Sequence, residues 1–166
     1  MKLIVLSPAS GNPRESAAAL ALLEHGLESY HVHKPDLSSE QVQDYIRQFP
    51  LQFRDKIFLH SAFPKFHSLD ELKRYDGKYE YAFLSPVFDS ISKKGYKSGF
   101  DLSETGLHVR GKKIVALGGV DESKIETCRG LGFCGIAVLG AVWQSADPLG
   151  TFLRMKEKCQ RKDLVC

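Results

Sequence analysis

Ser90, Ser92 and Lys93 stand just past the apolar run 81–84. Two hydroxyl donors and an ammonium in that spacing suit a phosphate dianion, because hydrogen bonds to an anion are short and strong. Gly118-Gly119 and Gly140-Ala141 follow two later apolar runs. Without side chains in the way, main-chain amides there can approach an anion closely. Each signal also has a plainer reading: a polar surface loop for the serines, and an ordinary turn for the glycine pair. His31 and His33 share one strand face by its two-residue period, and Lys34 follows them. His67 precedes Ser68-Leu69-Asp70-Glu71, which has the form of a capping box. An imidazole with an ordinary pKa near ~6.5 can move a proton at neutral pH, or it can simply be a loop residue beside a helix start. His31, His33 and His60 could together ligate a metal, but such a site needs further histidines and an aspartate on later strands. Those strands carry glycines and serines instead, so no metal ligand is expected.

The elements that must position these groups alternate along the chain. Continuous apolar runs at 3–6, 29–32, 56–60, 81–84, 113–117 and 135–139 read as six strands. An Ala/Leu-rich stretch at 14–25, stopped by Gly26, reads as a helix. Ser38-Ser39-Glu40-Gln41 opens a second helix to about residue 48, and Ser68 opens a short one. Asp121 caps a further helix, and Asp147-Pro148 starts the last, with proline at its first position. Apolar strands linked by helical crossovers predict a parallel sheet buried on both faces. Periodicity alone allows either an open doubly wound sheet or a closed barrel, and the glycine turns after the last two strands favour the barrel. With no repeat, low-complexity tract or linker, residues 1–166 read as one domain.

Composition excludes several classes. The chain has 166 residues, 43% hydrophobic and 26% charged, which is ordinary for a globular domain. A net charge of +3 with no basic run interleaved with aromatics argues against a nucleic-acid partner. The apolar run at residues 3–6 is too short for a signal peptide or membrane span, so a cytoplasmic, membrane-free protein is expected. Cys128, Cys134, Cys159 and Cys166 form no Cys-x-x-Cys pair, and reduced thiols follow from that compartment.

Taken together, the segments Ser85-Pro86-Val87-Phe88-Asp89-Ser90-Ile91-Ser92-Lys93, Ala116-Leu117-Gly118-Gly119-Val120 and 135–141 resemble the thiamine phosphate synthase/TenI family (the thiamine-phosphate pyrophosphorylase superfamily). Pro86, Phe88, Ser90, Ser92 and Lys93 fall on that family's Gly-Pro-x-Phe-x-Thr-x-Thr-Lys segment, with serines for threonines. His67-Ser68 is similar to its Ser-x-His-Ser. Departures lie in the first half: His31 and His33 replace a glutamine and an arginine, Phe58-Leu59-His60-Ser61 replaces Ile-Asn-Asp-Arg, and Gly140 stands where serine is usual. The resemblance implies a TIM-type (β/α)8 barrel. Only six strands are legible, however, and about one and a half β/α units are not visible, missing between Ser61 and His67, with a smaller loss between Asp101 and Lys113. It further implies a thiazole phosphate ligand held by Ser90, Ser92, Lys93, Gly118, Gly119, Gly140 and Ala141, with His31, His33 and Lys34 at the remaining anion subsite. A TenI-type thiazole tautomerase with His67 as acid/base is favoured, because the thiazole side of the motif set is kept and the pyrophosphate side is eroded. The alternatives are a thiamine-phosphate synthase joining pyrimidine pyrophosphate to thiazole phosphate with Mg2+, and a non-catalytic regulatory relative that keeps the phosphate grip. By analogy, relatives of this kind suggest a homo-oligomer.

Overall fold

The computed structural model describes residues 1–11, 14–89 and 99–161. Seven strands form one sheet: β1 (Lys2–Leu6), β2 (Tyr30–Val32), β3 (Ile57–Leu59), β4 (Lys65–Phe66), β5 (Ala82–Leu84), β6 (Ile114–Leu117) and β7 (Gly135–Val138). All six pairings are parallel, in the order β3-β2-β1-β7-β6-β5-β4. Helices α1 (Glu15–Glu24), α2 (Ser39–Arg47), α3 (Leu69–Lys73), α4 (Leu102–Val109), α5 (Ile125–Leu131), α6 (Gly140–Trp143) and α7 (Pro148–Gln160) link and cover it. None of the described helices is long and apolar enough to cross a membrane.

Strand alternation sorts the apolar residues into two layers. Leu3, Val5, Tyr30, Ala82, Leu84, Ile114, Ala116, Ile136 and Val138 pack outward against Ala19, Leu22 and Leu23 of α1 and Phe152 and Met155 of α7. Ile4, Leu6, Tyr81, Phe83, Val115 and Ala137 face inward as a second cluster. That inner cluster exists because the sheet curls. Three strands separate β2 from β5, so a flat sheet would hold them about 19 Å apart at ~4.8 Å per strand. Instead His31 Nε2 of β2 lies 2.7 Å from the Tyr81 hydroxyl at the start of β5. The architecture is a TIM-type barrel opened along one seam.

The seam has a simple cause. Only the residues 60–64 join β3 to β4, partly as a 3-10 turn, His60–Ala62. Five residues span at most about 18 Å, whereas a parallel neighbour requires a crossover of a dozen residues or more. β3 and β4 therefore end the sheet on opposite sides of the gap. Aromatic rings fill it: Phe63 stacks on Tyr81 with centroids 4.6 Å apart and planes at 13°, and lies 4.8 Å from His31.

Two sequence expectations are corrected here. The strand count is seven rather than six, because β4 occupies part of the stretch read as missing. Between Asp101 and Lys113 there is no loss but a helix, α4, whose start Asp101 caps by accepting the Ser103 and Glu104 amides at 2.8 and 3.2 Å. Three other helix signals hold, while Asp121 caps a 3-10 turn, Glu122–Lys124, ahead of α5. Ser38 and Gln41 form a complete capping box, Gly26 takes φ +90 after α1, and Asp147 accepts the Gly150 amide at 2.9 Å.

Candidate functional site

A curled parallel sheet brings the residues that follow each strand to one rim, the C-terminal face where such folds carry chemistry. Ser7, His33, His60, His67, Ser85, Gly118 and Gly140 all meet that rim. Gly118 and Gly119 have φ of +89 and +65, left-handed conformations that favour glycine. Their missing side chains are used by the protein's own backbone. A Cβ on Gly118 would stand 2.7 Å from Pro86 Cα, and one on Gly119 would stand 2.6 Å from the Phe88 carbonyl oxygen and overlap that of Asp89. The segment 85–89 lies directly on the pair, with Val87 N–H donating to Leu117 O at 2.9 Å and Phe88 N–H to Gly118 O at 3.1 Å. Gly140 and Ala141 open α6 at the end of β7, and Trp143 Nε1 donates to Leu6 O at 2.6 Å, tying that turn to β1. Ser90, Ser92 and Lys93, expected from the sequence to hold a phosphate, lie outside the described residues.

His67 sits at the end of β4, exposed and held at two points. Its backbone N–H donates to Glu71 Oε2 at 2.7 Å, and its Nδ1 lies 2.9 Å from the Ser85 carbonyl oxygen. A carbonyl oxygen only accepts, so Nδ1 carries the proton and Nε2 of the neutral ring keeps a lone pair. The box predicted at Ser68 is thus half formed: Ser68 Oγ accepts the Glu71 amide, while the carboxylate reaches His67 rather than Ser68. His67 lines a cavity of about 620 Å³ with Ser68, Pro86, Phe100, Asp101 and Glu104. A second hollow of about 400 Å³ opens behind the loop, between Phe88, Phe100, Gly119 and Lys124.

The histidines of the first half meet inside the barrel. His31, His60 and His33 form a row, with ring centroids 5.7 Å apart from His31 to His60 and 5.5 Å from His60 to His33. His31 is fully buried and His60 nearly so, and Nδ1 of each has no hydrogen-bond partner among the described residues. Burial, helped by His60 and Lys2, lowers the His31 pKa to about 3. Burial, helped by His33 and Lys65, lowers that of His60 to about 4. Both rings are neutral at physiological pH. His33 is half-buried at the rim, its backbone N–H donating to Ser7 Oγ at 2.8 Å and its carbonyl accepting from that hydroxyl at 3.3 Å.

Lys34 turns the other way. Its side chain is 2% exposed, and Nζ donates to Glu15 Oε2 and to the Pro8 carbonyl, both at 2.7 Å. Glu15 Oε1 accepts from the Tyr45 hydroxyl at 2.7 Å, and the Tyr30 hydroxyl lies 3.3 Å from it. The structure therefore brings His31 and His33 together with His60, and His67 together with the 85–89 loop, but it separates Lys34 from them. Ser85, Glu71 and Glu15 were not singled out from the sequence. Glu71 had a signal, its place three residues after Ser68; the partnership of Glu15 with Lys34, nineteen residues apart, had none. Among the described residues, no three His, Cys, Asp or Glu side chains form a group that could hold a metal ion.

No family model matches the chain, and none of the curated proteins matches it by sequence. Solved structures do. A thiamine phosphate pyrophosphorylase from Bacteroides thetaiotaomicron is similar with a TM-score of 0.81 at 22% identity, over 95% of this chain and 97% of that one. A thiamine phosphate pyrophosphorylase from Pyrococcus furiosus gives 0.70 at 15% identity, over 95% of each chain. The (S)-3-O-geranylgeranylglyceryl phosphate synthase from Thermoplasma acidophilum, solved with sn-glycerol-1-phosphate, gives 0.58 at 14% identity, over 95% of this chain and 92% of that one. At these identities the likeness is one of fold, the curled parallel sheet of a TIM-type barrel described above.

Proposed function

We propose that this chain is a thiamine-biosynthetic protein of the thiamine phosphate synthase/TenI superfamily. It binds a thiazole phosphate on the C-terminal rim and shifts a proton on the thiazole with His67. The names of two similar structures and the motif at 85–93 support the superfamily. One observation carries the tautomerase reading: His67 overlooks the 620 Å³ cavity with Nδ1–H spent on the Ser85 carbonyl, which leaves Nε2 to take up and return a proton. The phosphate end belongs to Ser90, Ser92 and Lys93 with the turns at Gly118-Gly119 and Gly140-Ala141. The chemistry is a proton removed at one thiazole carbon and returned at another, with no bond to phosphate broken.

The rest of the rim favours this over the synthase. Ionising a pyrophosphate leaving group calls for concentrated positive charge. His31 and His60 are neutral, and Lys34 is already paired with Glu15. Product analysis separates the readings. The protein with thiazole phosphate carboxylate alone is expected to yield its isomer. Thiamine phosphate formed over many turnovers from thiazole phosphate, pyrimidine pyrophosphate and Mg2+ would establish the synthase instead. Binding of thiazole phosphate with neither product would establish a regulatory protein.

A further inference from the structure

The proposed reaction leaves a buried ion pair unused. Glu15 and Lys34 meet at 2.7 Å with both side chains 2% exposed. The Tyr45 hydroxyl donates to Glu15 and accepts from the Tyr30 hydroxyl at 2.8 Å. Every oxygen of the carboxylate has a donor, and the ammonium has two acceptors. A buried ion pair of this kind is weak evidence for stability, since apolar replacements are often neutral or better. Its placement gives a stronger clue. Lys34 ties the end of β2 to Pro8 in the loop after β1, and Glu15 ties both to the first turn of α1, while Tyr45 brings in α2. Immediately beside this knot, Ser7 Oγ grips the backbone of His33 on both its N–H and its C=O. His33 is the member of the histidine row that stands half-buried at the rim, 5.5 Å from His60.

We infer that Glu15 and Lys34 are positioning residues that fix the first two strand-to-helix loops against each other and so hold His33 in place at the mouth of the barrel. Lys34 acts from behind the rim and does not touch the ligand. The effect on ligand binding rests on the proposed function; the effect on His33 does not.

The test replaces the pair without stranding a charge. Lys34→Met alone would leave a buried carboxylate unpaired and risks misfolding. In Glu15→Gln/Lys34→Met the amide keeps an acceptor for the tyrosine hydroxyls and the thioether keeps the length of the lysine stem. Ring signals are recorded by NMR on histidine-labelled protein without ligand, together with the urea midpoint and calorimetric binding of thiazole phosphate. The expected result is an unchanged midpoint, a His33 signal that moves or broadens while that of His108 stays put, and weaker binding of thiazole phosphate. An unchanged His33 signal overturns the inference, whatever ligand the protein takes. A fall in midpoint with His108 altered to the same degree marks general loosening and also overturns it. Wild-type protein that binds no thiazole phosphate counts against the proposed function alone, and the His33 signal still decides the role of the pair.

Discussion

Acidification should unfold this barrel from the inside. His31 and His60 are buried neutral, with pKa values of about 3 and about 4 set first by burial. In the unfolded chain both rings return to an ordinary value near ~6.5. The unfolded state then binds more protons than the folded one below that value, so stability is complete above it and falls as the pH drops. At pH 5 each unfolded ring gains about 2 kcal/mol from protonation, one and a half pH units at ~1.36 kcal/mol per unit, that the folded ring cannot match. The two together remove about 4 kcal/mol between pH 8 and pH 5, a large share of a domain's marginal stability. With a urea slope of about 2 kcal/mol/M the midpoint should fall by about 2 M. Equilibrium urea unfolding at the two pH values, followed by far-UV circular dichroism, measures this directly. The His31→Gln variant isolates the cause, because its amide cannot titrate while the remaining histidines are unchanged. Its pH-dependent loss should be about half that of the wild type, about 2 kcal/mol. An equal loss in wild type and variant would refute the assignment to His31, and a wild-type midpoint that barely moves would refute the neutral-histidine interior.

Three further outcomes follow from single contacts. Tyr81→Phe leaves His31 Nε2 without its 2.7 Å partner inside the barrel and should cost about 1–3 kcal/mol in urea unfolding at pH 8. Gly119→Ala must hold a Cβ at φ +65 against the Phe88 and Asp89 carbonyls; it should destabilise by more than about 1 kcal/mol and weaken thiazole phosphate binding in calorimetry, since the 85–89 loop has to shift. Trp143→Phe removes the indole donor to Leu6 O and should lower stability by about 1 kcal/mol, read as a lower thermal midpoint with the fold retained in circular dichroism.

The sequence made the parallel barrel legible because β1, β5, β6 and β7 are apolar on both faces and so read as continuous runs. β4 was invisible because two residues after Pro64 carry no period; only pairing with Phe83 and Leu84 makes them a strand. Gly106 interrupts the pattern of α4, although Asp101 followed three residues later by Glu104 was a usable start signal. Near the rim, local spacing gave the glycine turn and the helix start at Ser68 beside His67, since capping and positive-φ requirements are written within a few residues. It could not give the partners of His31 and Lys34. Tyr81 lies fifty residues from His31, and Glu15 is one acid among many until folding buries it. The reading of Lys34 as an anion ligand rested on the family resemblance, and its burial against Glu15 sets it elsewhere.

The most direct measurement is the rate of thiazole phosphate carboxylate isomerisation by wild type and His67→Asn, followed by NMR. Asparagine can keep the hydrogen bond to the Ser85 carbonyl while removing the ring nitrogen that would carry the proton. The expected result is turnover by the wild type and a loss of at least about a hundredfold in kcat with thiazole phosphate binding retained, the scale of a lost general acid/base. Equal rates in the two proteins would contradict His67 as the acid/base and, with it, the central assignment.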